Sequence, residues 1–267
     1  MKTKRIAFVG GGNMAEAIIA GLLAGGLTLE KNLVAADVSA ARRALLGQQY
    51  GIDAVAENGA AVREADVVVL AVKPQQAAEA LTAASGALTG RQLVISICAG
   101  LPTRAVEALV PGRVVRAMPN LPALVRRGLT AICAGARATA ADLDLAEELF
   151  AAVGAVVRLP EKLMNEVTAL SGSGPGYVFA FLEAMEAAAV AMGLPPDTAR
   201  RMAVETVRGA AELAVQTREE PAELRRRVSS KGGTTLAGLA ALEAGGFSAA
   251  VAAGMKAARD RAAELAR

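Results

Sequence analysis

Residues 5–9 form a short apolar run that ends in three consecutive glycines, and helical periodicity begins at once over residues 14–25. Few folds accept that junction: a strand has to stop in a tight turn and hand the chain directly to a helix. The same alternation then repeats. Residues 33–37 read as a second strand and 40–50 as a helix, 67–71 as a strand, and 74–84 as a helix opening with proline where proline is tolerated. Further strands are expected at 93–97, 114–117, 130–133 and 155–159, with a helix at 139–153 before the last. Alternating strands and helices imply an α/β fold: a doubly wound parallel sheet covered on both faces, built from residues 1–160.

Past Pro160 the β-rich runs disappear. Alanine, leucine, glutamate and arginine dominate segments broken by Gly193-Leu194-Pro195-Pro196, Pro221, Gly232-Gly233 and Gly245-Gly246, so residues 161–267 are expected to be all-helical. So apolar a helical portion, with little sheet to pack on, is expected to bury one face against a second subunit as a homodimer.

Composition removes several chemistries. The 267 residues include no histidine and no tryptophan, which excludes Ser-His-Asp and Cys-His constellations, His-ligated zinc or haem iron, and an imidazole acid or base. Cys98 and Cys133 lack metal-ligand spacing and fit buried, reduced thiols in a cytoplasmic protein. No metal site is expected. With 29 basic and 26 acidic residues interspersed, net +3, no field favours nucleic acid or an anionic membrane. The mean hydropathy is +0.38. Yet the longest uncharged stretch, 167–182, holds three glycines and a proline, and a spanning helix needs about 20 mostly apolar residues. The basic start, Met1-Lys2-Thr3-Lys4-Arg5, superficially resembles a signal peptide, but the glycines, Asn13 and Glu16 interrupt the apolar region.

The glycine turn carries the first chemical signal. Gly10-x-Gly12-x-x-Ala15 follows a strand and opens a helix, as a dinucleotide fingerprint does: Gly10 for the tight turn, Gly12 for backbone approach to a pyrophosphate, Ala15 for close helix–strand packing. The pyrophosphate is expected on the helix N-terminus. Asp37 closes the second strand, placed to accept from the adenosine ribose, which by itself points to NAD. Arg42 and Arg43 either hold the 2′-phosphate of NADP or form a solvated helix face. Two further loops, Ala71-Val72-Lys73-Pro74-Gln75 and Ser96-Ile97-Cys98-Ala99-Gly100, fall at strand C-termini, where an open α/β sheet binds its ligand.

Arg116-Ala117-Met118-Pro119-Asn120-Leu121-Pro122 is a stiff loop facing the same edge. Ser171-Gly172-Ser173-Gly174-Pro175 either caps the following apolar helix or lets a cofactor approach it. Ser229-Ser230-Lys231-Gly232-Gly233-Thr234-Thr235 sets a glycine pair and hydroxyls at a helix start. That cluster can gather donors around a carboxylate, or Thr234 or Thr235 simply caps the helix.

Taken together, the chain resembles the pyrroline-5-carboxylate reductases nearly end to end. The resemblance rests on Gly-x-Gly-Asn-Met-Ala from Gly10, Ala-Val-Lys-Pro from Ala71, Arg-Ala-Met-Pro-Asn from Arg116, Ser-Gly-Ser-Gly-Pro from Ser171 and Gly-Gly-Thr-Thr from Gly232, in family order and spacing. It implies a Rossmann-like N-terminal domain and a helical C-terminal domain that dimerises by interleaving, with larger rings of dimers, up to decamers, in many members. It also implies reduction of L-1-pyrroline-5-carboxylate to L-proline by NADPH, or by NADH. By position, Gly10, Gly11, Gly12, Asn13, Met14, Asn58, Ala71, Val72, Lys73, Pro74 and Ala99 would line the cofactor, joined by Asp37. Gly232, Gly233, Thr234 and Thr235 would bind substrate, with the Thr235 hydroxyl at the ring nitrogen as the catalytic contact. Lys231 replaces the usual proline, Leu121 a threonine and Gly176 an alanine. A cyclic imine can take its proton from water before binding, so the missing imidazole costs this chemistry little. The nearest rivals are reductases of other cyclic imines and β-hydroxyacid dehydrogenases, whose essential lysine Lys162 superficially imitates.

Overall fold

The computed structural model describes residues 1–265, which divide into two compact units. One is Met1–Ser173 together with the end of the chain from Ala257; the other is Gly174–Lys256.

In the first unit β1 (Ile6–Val9) leads into α1 (Asn13–Ala24), β2 (Leu33–Ala36) into α2 (Ala40–Tyr50), β3 (Asp53–Val55) into α3 (Asn58–Val62), and β4 (Val67–Leu70) into α4 (Ala77–Ala84). Then follow β5 (Leu93–Ser96), α5 (Thr103–Glu107), β6 (Arg113–Met118), β7 (Gly128–Ala134), α6 (Ala140–Ala151), β8 (Gly154–Arg158), α7 (Met164–Val167) and a π-helical turn, Thr168–Gly172. The eight strands lie in the order β3-β2-β1-β4-β5-β6-β7-β8.

Successive strand residues face opposite layers. Ile6 and Phe8 pack with Ile18, Ile19, Leu22 and Phe150 on one side of the sheet. Ala7 and Val9 pack with Val62, Leu81 and Val106 on the other. Both layers are buried, so the central strands are apolar at every position rather than at every second one. Local signals fix the ends: Ser39 Oγ accepts from the Arg42 N–H at the start of α2, and Thr139 with Asp142 makes a reciprocal capping box on α6.

Two expectations need correction. The sheet is not wholly parallel, because β7 runs antiparallel to β6. The connection between them holds only a 3-10 turn, Leu121–Val125, and a parallel return needs a crossover of a dozen or more residues. β3, α3 and α5 are additional elements, each too short to register as a period. The two compact units meet in sequence after Ser173. Residues just past Pro160 pack on the sheet: the Glu161 carboxylate accepts from the Thr103 N–H at 2.7 Å and hydroxyl at 2.6 Å, and Met164 is buried with Ala131 and Cys133.

The second unit contains α8 (Gly174–Ala191), α9 (Pro196–Thr217), α10 (Pro221–Arg227), α11 (Thr234–Ala244) and the start of α12 (Phe247–Leu265). Pro196 and Pro221 occupy first helical positions, where the missing N–H has no intrahelical role. The Phe181 and Phe247 rings meet at 6.3 Å, tilted by 55°. Among the described residues of this unit, only Ala199 and Ala203 are buried apolar side chains, while Phe179 is 50% and Met192 79% exposed. No single described helix is long and apolar enough to cross a membrane.

Candidate active site

Strand order reverses between β1 and β4, and the glycine turn sits at the C-terminal end of that switch point, where open α/β sheets take their ligands. Gly10 has φ +96°, and a Cβ there would lie 2.7 Å from the Ala71 carbonyl oxygen. Only glycine fits. At Gly12 the opposite holds: a Cβ would meet nothing within 4 Å, so the backbone faces open space. Gly12 is also the N-cap of α1 and supplies no side chain, which leaves the first-turn N–H groups without an intrahelical partner. This bare, open helix start fits a dinucleotide pyrophosphate.

Asp37 does more than close β2. One carboxylate oxygen accepts from the Gly11 N–H and the other from the Ser39 N–H, both at 2.8 Å. Each oxygen keeps a lone pair for a ribose hydroxyl. Arg42 is not a solvated side chain: its Nε and Nη2 donate to the Gly11 carbonyl oxygen at 2.8 and 2.5 Å, and Nη2 also pairs with Glu16 at 2.7 Å. Arg43 donates from Nη1 to the Asp37 and Val38 carbonyl oxygens at 2.8 and 3.0 Å, which keeps its guanidinium beside the end of β2.

Around this turn, Ala71 and Val72 follow β4, exposed Lys73 precedes a 3-10 turn opened by Pro74, and Ala99 lies in the turn after β5 beside Gly100 at φ +74°. Asn13 is exposed, whereas Met14 packs partly against the core. Asn58 lies at the start of α3 and donates through Nδ2 to the Ala80 carbonyl oxygen at 3.2 Å, tying α3 to α4. Burial pushes both thiols up to about 11; the Cys98 thiol donates to the Val72 carbonyl oxygen at 3.2 Å. Neither is a nucleophile at neutral pH.

Asn120 has a structural role that spacing alone does not disclose. Its Nδ2 donates to the Ser171 carbonyl oxygen at 3.1 Å and its Oδ1 accepts from the Leu129 N–H at 2.9 Å. It thereby joins the proline loop to the π-helical turn. Ser171 is not a helix cap: it lies within that turn, and its buried hydroxyl has no partner among the described residues. π-turns of this kind recur at functional sites.

In the helical unit, Gly232 takes φ +74° and Gly233 donates its N–H to the Ser230 carbonyl oxygen at 2.9 Å. Gly233 caps α11 through its backbone, with no side-chain hydrogen bond. Thr234 and Thr235 therefore occupy the first two helical positions and do not cap. Their hydroxyls make no hydrogen bond among the described residues, and the first-turn amides beside them are unspent. Exposed Lys231 precedes the turn.

Comparison with known proteins agrees with both halves of this geometry. Residues 5–100 match the family model described as NADP oxidoreductase, coenzyme F420-dependent, and residues 161–265 match pyrroline-5-carboxylate reductase dimerisation. The chain is 45% identical to the pyrroline-5-carboxylate reductase of Pseudomonas aeruginosa, over all of this chain and 98% of that one. The structure of a pyrroline-5-carboxylate reductase from Coxiella burnetii superposes with a TM-score of 0.94 at 36% identity, and covers both chains fully. The Plasmodium falciparum pyrroline carboxylate reductase, solved with NADP bound, gives 0.90 at 28% identity, again over the full length of both. With 45% identity over the full length of the chain and a match to the dimerisation model over residues 161–265, the chain belongs to the pyrroline-5-carboxylate reductase family.

Proposed function

We propose that this chain reduces L-1-pyrroline-5-carboxylate to L-proline, the last step of proline biosynthesis, with Thr235 as the residue that contacts the reacting nitrogen. The observation that carries the assignment is the start of α11. Its backbone cap leaves two hydroxyls and a set of N–H groups with nothing to bind in the chain itself. The amides after Gly232 and Gly233, with Thr234, hold the substrate carboxylate. The Thr235 hydroxyl accepts from the iminium N–H, which orients the ring, and turns to donate to the lone pair that forms on nitrogen as the hydride arrives.

NADPH, when bound, supplies the hydride. Gly12 and the first turn of α1 receive its pyrophosphate, flanked by Gly10, Gly11, Asn13 and Met14. Asp37 stands at the adenosine ribose. Ala71, Val72, Lys73, Pro74 and Ala99 line the rest of the sheet edge, with Asn58 supporting it from α3. The imine nitrogen is protonated from water before binding, so the hydride neutralises the iminium carbon and leaves a secondary amine. No protein acid is consumed, which suits a chain without histidine.

The helical domain forms a homodimer, and we infer that dimers assemble further into a ring, up to a decamer. Two buried, unpaired thiols support a reducing, cytoplasmic setting. The decisive test is Thr235→Ala: folding and NADPH binding are retained and turnover falls by about ten- to a thousandfold, the range for losing one placed donor. Wild-type turnover in that variant removes Thr235 from the mechanism. Steady-state comparison of NADPH with NADH then fixes the cofactor preference.

A further inference from the structure

Gly11 is held at both ends of its own residue. Its N–H donates to Asp37 Oδ2 at 2.8 Å, and its carbonyl oxygen accepts from Arg42 Nε and Nη2 at 2.8 and 2.5 Å. The Gly11–Gly12 peptide is trans and planar, so its carbonyl and its N–H point in opposite directions. Fixing the Gly11 carbonyl on Arg42 therefore turns the Gly12 N–H away from α2. Position 12 is where an added Cβ meets nothing within 4 Å.

The guanidinium is itself held. Glu16, in the first turn of α1, accepts from Arg42 through one carboxylate oxygen at 2.7 Å and from the Tyr50 hydroxyl through the other at 3.0 Å; Gln49 donates to that hydroxyl at 3.0 Å. Arg42 and Glu16 are each about three-quarters buried, so solvent only partly screens the pair. The network links α1 to both ends of α2 across the glycine turn.

We propose that Arg42 is a positioning residue for the pyrophosphate of the dinucleotide, acting through the Gly11–Gly12 peptide and held in place by Glu16 and Tyr50, and that it takes no part in distinguishing the 2′-phosphate. Two of its three nitrogens are spent on the loop and on a carboxylate. The inference rests on the reading that the glycine turn binds the cofactor.

The test compares ligands that separate the two phosphates, with folding followed by circular dichroism. Arg42→Ala raises KM for NADPH and for NADH by the same factor, about tenfold, the scale of a charge-assisted hydrogen bond, with kcat unchanged at saturation. It weakens ADP-ribose, which carries the pyrophosphate alone, by a similar factor, and leaves 2′-AMP binding unchanged. Glu16→Gln and Tyr50→Phe give smaller losses with the same pattern, and carry the test if Arg42→Ala does not fold. Arg42→Lys recovers part of the affinity. A loss confined to NADPH and 2′-AMP, or no change with any ligand, overturns the proposal. Gly12→Val separates the underlying reading: unchanged affinity for both cofactors in that variant overturns the glycine turn as the cofactor site itself.

Discussion

The sheet unit and the helical unit bury apolar surface in opposite ways. In the first, Phe8, Phe150, Ile18 and Leu81 are fully buried, in two layers either side of strands that are apolar throughout. In the second, long helices pack with alanines at their contacts while Phe179, Met202, Leu213 and Phe247 stay about two-fifths or more exposed. A hydrophobic core is complete within one chain in one case and calls for a second chain in the other. The match to a dimerisation domain over 161–265 says which second chain. The glycine turn is thus built on a scaffold with its own core, and the hydroxyls of α11 on helices that leave large apolar side chains exposed in the single chain.

This contrast predicts different responses to damage. Phe150→Ala, deep in the sheet unit, costs about 3–5 kcal/mol in chemical unfolding, and the loss does not depend on protein concentration. Phe179→Asp, in the helical unit, weakens self-association by about a hundredfold in sedimentation equilibrium, the scale of an interface hot spot, and makes Tm strongly concentration-dependent. Equal concentration dependence in the two variants would break the comparison.

Smaller effects sharpen it. Both thiols belong to the sheet unit and stay neutral up to about 11 when folded, against an ordinary 9.0. The unfolded chain loses those protons first. Stability contributed by the neutral thiols is thus complete below pH 9 and falls as pH rises toward 11, by about 2 kcal/mol for each. Replacing Cys98 and Cys133 together by serine flattens that slope in an alkaline unfolding series; an unaltered slope assigns it to other groups. The smallest change is expected at Lys231. Lys231→Gln raises KM for the imine by about threefold at low ionic strength, with kcat unchanged, and the difference vanishes in high salt, as for an exposed charge. A salt-independent effect would mean that Lys231 shapes the turn rather than attracting the carboxylate.

How much of this was legible in the sequence follows the range of each interaction. The junction at Gly10 was readable because strand, turn and helix are adjacent along the chain, whereas the direction of β7 was not, since the strands expected at 114–117 and 130–133 left a connection long enough for a parallel return. β3 and α5 were not readable, since elements of three and five residues establish no period. The role of Arg42 was hidden for a different reason: its partners Gly11 and Glu16 come from another helix and another turn, met only after α1 and α2 pack. Thr234 and Thr235 could be read as caps or as ligands from composition alone. Gly233 taking the cap with its backbone is what separates the two.

One feature of the fold bears on how the protein is made. Ala262 in α12 is buried, and Leu265 packs its Cβ where a Cβ on Gly100 would come within 2.9 Å, in the turn next to Ala99. The helical unit is therefore an excursion from the sheet unit rather than an appendage to it. During synthesis the sheet unit receives its α12 turns only after residues 174–256 have been made. A truncation of the final turns of α12, usually the gentlest of lesions, strikes the turn after β5 as well as the last helix of the stretch that matches the dimerisation model.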